Sequence, residues 1–319
     1  MKIRLAMLAV LLLLLSVCVA CQKKAATGTG EKRLQVITTI FPVYDFAREV
    51  AGDKAVVVML LPPGVEPHSF EPKPEDIFRV SKADIFIYTD RYMEPWAVDL
   101  AKGAGNPDLL VVDAGKGARF LPALEADGHD GEEGHGHHHD HGEGMDPHIW
   151  LDFANAQKMV DNIGEGLTTK DPANRKYYLE RAAACKVRLA ALDKRYRDEL
   201  QGCATRMFLH GGHYAFGYLA ARYGLNYKAA YGVSANAEPT PKKIAELITL
   251  MRANGLKYVF HEELIAPTMA NAIARESGAT LLKLHGAHNV AREELEAGAT
   301  FFSLMEKNLE NLKVGLQCR

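Results

Sequence analysis

The chain has 319 residues, 48% of them hydrophobic and 24% charged, and 38 Lys+Arg nearly balance 40 Asp+Glu. That length allows one large domain or two of ordinary size, and the ordinary apolar and charged shares exclude wholesale disorder. The net charge of −2 argues against a nucleic-acid binder, which needs a basic surface.

Lys2 and Arg4 precede an apolar run from Leu5 to Ala20 broken only by Ser16. A membrane-spanning helix needs about 20 apolar residues, so this shorter run reads as a secretory signal peptide over residues 1–20. The run ends Cys18-Val19-Ala20-Cys21. This is similar to a bacterial lipobox, with small Ala20 before the acceptor, although Cys18 stands where Leu is usual. Cys21 is therefore the expected lipidated N-terminus of an exported protein. Residues 21–33, rich in Lys, Gly, Thr and Ala, form an expected flexible tether.

Short apolar runs then alternate with helical patterns. Val36–Ile40, Val56–Leu61, Ile85–Tyr88 and Leu109–Val112 are predicted strands, with helices from Pro42 to Val50 and Pro74 to Lys82. Such alternation indicates a parallel α/β lobe, assigned to residues 34–171. Residues 121–146 interrupt it with eight acidic residues, no Lys or Arg, many Gly, and six histidines: His129, His135, His137, His138, His139 and His141. A stretch of that composition cannot build a core and is expected to be a mobile loop. A long helix over 172–201 follows. The alternation then restarts over 202–319, with predicted strands at Arg206–Leu209, Asn226–Ala230, Tyr258–Phe260 and Leu281–Leu284, and a last helix from Arg292 to Val314. The expected fold is α/β: two Rossmann-like lobes of about four parallel strands each, joined by a long helix.

Outside the cytoplasm disulfides are allowed, which makes Cys203, at a helix-to-strand junction, and Cys318, in the C-terminal tail, a candidate staple. Cys185 lies in a helical apolar pattern and reads as a buried thiol.

Several catalytic signatures begin and fail. His261-Glu262-Glu263-Leu264-Ile265 has Ile where a zinc protease needs its second His. Gly232-Val233-Ser234-Ala235-Asn236 lacks the final Gly of a nucleophile elbow. No phosphate loop or dinucleotide fingerprint is present. Histidine remains. His68, His148 and His213 each lie on a loop predicted to meet the end of a strand or the start of a helix, where α/β folds place ligands, and imidazole suits Zn²⁺.

The motifs Gly64-Val65-Glu66-Pro67-His68, Asp146-Pro147-His148-Ile149-Trp150-Leu151-Asp152, His213-Tyr214-Ala215-Phe216-Gly217-Tyr218 and Glu238-Pro239-Thr240-Pro241 occur in that order, with the His/Asp/Glu-rich loop just ahead of the second. Together they resemble the zinc/manganese solute-binding lipoproteins of bacterial metal ABC transporters. The resemblance implies a metal held in the cleft between the lobes by His68, His148 and His213. It also implies a membrane permease and its ATPase as partners, and a monomer lipid-anchored to the outer face of the membrane or residing in the periplasm. His213 at the third position favours Zn²⁺ over Mn²⁺, which tolerates oxygen-rich sites.

At the fourth position many relatives place an Asp. Here the stretch is Leu284-His285-Gly286-Ala287-His288-Asn289. His285 stands closest and is taken as the fourth ligand, with His288 and a water as alternatives. Glu66, Glu262 and His288 are candidates for hydrogen-bond support of the ligands. The histidine-rich loop is expected to bind further zinc more weakly and to raise the metal concentration near the cleft. Two other functions compete with zinc capture: a zinc hydrolase, because three histidines plus an open position is also a catalytic pattern, and an adhesin, a role assigned to some relatives.

Overall fold

The computed structural model describes residues 33–123, 144–233, 239–264 and 266–319. The signal peptide, Cys21, most of the tether and all six loop histidines lie outside the described residues. Leu34–Arg319 forms one compact unit.

Among the described residues, eight strands make two parallel four-stranded sheets. In the first, β1 (Leu34–Thr38), β2 (Ala55–Met59), β3 (Ile85–Tyr88) and β4 (Leu110–Asp113) are ordered β2-β1-β3-β4. In the second, β5 (Met207–His210), β6 (Asn226–Ala229), β7 (Tyr258–His261) and β8 (Thr280–Lys283) are ordered β6-β5-β7-β8. Composition follows position. Inner strand β3 reads Ile-Phe-Ile-Tyr and is buried throughout, whereas edge strand β6 alternates polar and apolar residues and buries only the latter. In both sheets the winding direction reverses beside the first strand, so a crevice opens at the carboxyl ends there.

The helices are α1 (Phe41–Ala51), α2 (Pro74–Ser81), α3 (Ala97–Gly103), α4 (Phe153–Lys170), α5 (Arg175–Glu199), α6 (Gly217–Tyr223), α7 (Pro241–Ala253), α8 (Thr268–Ser277), α9 (Arg292–Glu296) and α10 (Phe301–Gly315). With 25 residues, α5 runs about 37 Å at the usual rise. The sequence pattern missed α3. It also joined α9 and α10 into one helix. Gly298, at φ 78°, ends the first, and the Thr300 hydroxyl restarts the second by accepting from the Ser303 N–H.

One apolar core runs through both lobes, from Val36, Phe46 and Trp150 to Phe208, Phe260 and Leu312. Phe301 of α10 packs edge-on against Phe46 of α1, centroids 4.8 Å apart, and against Phe153 of α4 at 6.4 Å. Truncating so buried an aromatic costs about 3–5 kcal/mol, so this seam resists opening. Polar bonds reinforce it. Asp45 of α1 accepts from the Phe301 N–H at 2.7 Å, and Arg222 of α6 reaches Asp152 at 2.8 Å and Asp193 of α5 at 2.7 Å. A disulfide joins Cys203 to Cys318, and Cys185 is a buried free thiol.

Candidate metal centre

The carboxyl ends of both sheets face one crevice, and four histidines meet in it. His68 comes from the loop after β2, His148 from the segment after β4, His213 from the loop after β5 and His288 from the loop after β8. One ligand atom from each lies within 4.8 Å of the other three. His148 Nε2 is 3.3 Å from both His68 Nε2 and His213 Nε2, and His213 Nε2 is 3.1 Å from His288 Nε2. His148, His213 and His288 are buried, and His68 is half-buried.

Carboxylates stand behind three of the rings. Asp146 lies 2.6 Å from His148 Nδ1, Glu262 contacts His213 Nδ1, and Glu263 Oε1 is 3.4 Å from His288 Nδ1. A carboxylate on Nδ1 holds the proton there and leaves the Nε2 lone pair facing inward, the tautomer metal-binding imidazoles adopt. Two glycines make room. A Cβ on Gly212 would fall 1.9 Å from Glu262 Oε1, and one on Gly286 would fall 2.1 Å from the His288 ring. Both positions thus require glycine for the carboxylate and the ring to sit where they do.

Charge follows the same pattern. Burial, reinforced by neighbouring imidazoles, pushes His68 and His148 well below the ordinary histidine range, so both are neutral. For His213 burial works in the same direction, but the Glu262 charge and hydrogen bond outweigh it and raise the pKa. Burial would raise Glu263, yet His285 and His288 hold it well below the usual carboxylate range. Burial lifts Asp146 to about 7.

The Asp146–Asp152 run shows why its residue types recur together. Asp146 backs His148. The Trp150 indole, fully buried, donates across the crevice to the Gly286 carbonyl at 2.8 Å. Asp152 caps α4 by accepting from Ala154 N at 2.7 Å. The Tyr218 hydroxyl donates to the Asp146 carbonyl at 2.7 Å and accepts from Leu121 N at 3.0 Å. Both ends of the histidine-rich segment are therefore pinned beside the crevice.

His285 corrects the expectation for the fourth position. Its Nδ1 accepts from Ala287 N at 2.9 Å, and its Nε2 lies 3.5 Å from Glu294. Its Nδ1 also lies 3.3 Å from Glu263 Oε1, so the ring sits behind the carboxylate that backs His288 rather than among the converging rings. Ala287 takes the left-handed conformation, φ 57°, and the chain turns there to aim His288 inward instead. His288 is accordingly one of the converging rings rather than their support. Glu66 supports His68 through the backbone. It accepts from the backbone N–H groups of His68 and Ser69, at 3.1 and 2.9 Å, and caps the turn rather than backing a ring. Glu262 does back a ring. Asp146 and Glu263 were not singled out from the sequence, although the first stands two residues before His148 and the second adjoins Glu262.

Two parallel sheets with converging carboxyl ends, and a crevice walled by imidazoles backed with carboxylates, define a two-lobed metal-binding protein. Residues 36–315 match the family described as zinc-uptake complex component A, periplasmic, and the chain belongs to that family. It is 34% identical over 304 residues to the high-affinity zinc uptake system protein ZnuA of Bacillus subtilis, covering 95% of this chain and 94% of that one. It is 35% identical over 308 residues to the zinc-binding lipoprotein AdcA of Streptococcus pneumoniae, covering 95% of this chain but only 60% of AdcA. The Zn(II)-bound ZnuA-like domain of S. pneumoniae AdcA superposes with a TM-score of 0.74 at 32% identity, covering 89% of this chain and 99% of that domain.

Proposed function

We propose that this protein captures Zn²⁺ outside the cytoplasm, through His68, His148, His213 and His288, and delivers it to the permease and ATPase of an ABC importer. The observation that carries the reading is the convergence of four ring nitrogens within 4.8 Å of one another, with three successive Nε2 pairs at 3.1–3.3 Å. Zinc–imidazole bonds of about 2.0–2.1 Å in a tetrahedron require nitrogens about 3.3–3.4 Å apart. Four nitrogen donors and no oxygen favour zinc over manganese. They also fill the tetrahedron, which leaves no open position for the bound water a zinc hydrolase needs. One chain supplies all four rings, in keeping with a monomer. Uptake-system names among the relatives support the importer partners, and the lipoprotein name supports anchoring through Cys21. The loop histidines are proposed to add weaker zinc sites.

The test equilibrates the chain, with and without residues 125–145, with limiting Zn²⁺ and excess Mn²⁺, and measures bound metal by mass spectrometry. The expected result is one tightly held zinc in both forms, lost on His213→Ala, and extra weak zinc only when the loop is present. Preferential manganese, or loss of the tight zinc with the loop, would overturn the reading.

A further inference from the structure

Beside the four histidines, two loops from opposite lobes are joined through one buried side chain. Asn289, directly after His288, is fully buried. Its Nδ2 donates to the Pro62 carbonyl at 2.7 Å and to the Val65 carbonyl at 2.9 Å, both in the loop that leads to His68. Its Oδ1 accepts from Val290 N at 2.9 Å, and the Val290 carbonyl accepts from Gly64 N at 2.9 Å. The amide's two donors are thus both spent across the lobe boundary.

His68 needs such an external hold. Glu66, the one carboxylate in its turn, is used on backbone N–H groups, and among the described residues no carboxylate backs the His68 ring. The position of this ring is therefore set by where its loop sits, and the loop sits against Asn289. His288 lies one residue away on the other side of the same contact. Parting the loops would strand two buried carbonyls and an amide, a cost large enough to favour moving both together.

We propose that Asn289 is a positioning residue that makes the His68 and His288 loops a single moving part, so that these two imidazoles reach the metal and leave it together. The inference rests on the zinc reading above, and its test separates the two.

The full-length chain is loaded with Zn²⁺, and zinc loss into excess chelator is timed for the unaltered chain, Asn289→Asp, His68→Ala and the double variant. Asp keeps the acceptor for Val290 N and replaces the donors with an oxygen facing two carbonyls. The expected result is about tenfold to hundredfold faster zinc loss for Asn289→Asp, with that acceleration gone in the His68→Ala background. A purely structural role would accelerate loss equally in both backgrounds and would overturn the inference. So would a rate for Asn289→Asp equal to that of the unaltered chain. Should this variant not fold, Asn289→Ala replaces it, and hydrogen exchange on the unaltered chain supplies an independent reading. On zinc removal, residues 62–70 and 285–290 are expected to gain exchange together, and a gain in one alone overturns the inference. Absence of tight zinc from the unaltered chain would instead overturn the zinc reading and the inference with it.

Discussion

His148, His213 and His288 each have a ring oriented by a carboxylate on Nδ1, from Asp146, Glu262 or Glu263, whereas His68 hangs on a short turn whose carboxylate caps backbone. The first three rings are buried and the fourth half-buried. Buried carboxylates fix tautomer and orientation before any metal arrives. A ring without one keeps rotational freedom until coordination removes it. The crevice therefore pairs a wall of three rings whose orientation is preset with one ring whose orientation is free, although the His68 and His288 loops are bonded to each other through Asn289.

The widest separation of the two classes should come from deleting one ring of each. His148→Ala removes a proposed ligand from the wall and leaves Asp146 buried without its partner, and zinc affinity should fall about a thousandfold, read by chelator competition. His68→Ala leaves three imidazoles with room for a water, an arrangement zinc accepts, and should cost about tenfold to a hundredfold. Equal losses would break the comparison.

The seam beneath the wall offers a second test. Burial raises Asp45 from 3.8 to about 6, against the opposing Phe301 N–H bond. A raised carboxyl pKa favours the protonated folded form, so its stabilisation is complete below pH 3.8 and is lost as pH rises through about 6. Asp45→Asn should remove that part of the slope. In chemical denaturation the unaltered chain should lose up to about 3 kcal/mol more than the variant between these limits.

Glu263→Gln bears on the wall itself. Glu263 faces His288 Nδ1 and accepts from Gly286 N at 2.8 Å. Replacing it should weaken zinc binding about tenfold, the lower end for such supporting groups, without changing stoichiometry. The smallest effect is expected for His285→Gln. Its ring is engaged by Ala287 N, Glu294 and Glu263, so it touches the centre only through the carboxylate behind His288, and zinc affinity should fall by no more than a few-fold, less than for Glu263→Gln.

Much of the fold was legible because buried parallel strands read as unbroken apolar runs. Ile85–Tyr88 is both predicted and observed as a strand. Helix α3 was missed because seven residues give too few turns for a period to show. The split between α9 and α10 depended on one left-handed glycine within a continuous apolar pattern. At the site, residue type and order brought His68, His148 and His213 forward, but the choice between His285 and His288 was not readable. It turns on the backbone of Ala287, a residue whose identity gives no hint of a left-handed φ. Glu66 and Glu263 make the same point, since a carboxylate near a histidine in sequence backs a ring only if the chain between them bends the right way.

The cysteines bear on where zinc can go inside the folded chain. A thiolate outcompetes imidazole for zinc, and only the deprotonated form does so. Cys203 and Cys318 are consumed in their mutual bond, and burial pushes the Cys185 thiol up to about 12. Among the described residues, therefore, no thiolate stands ready to draw zinc away from the four histidines.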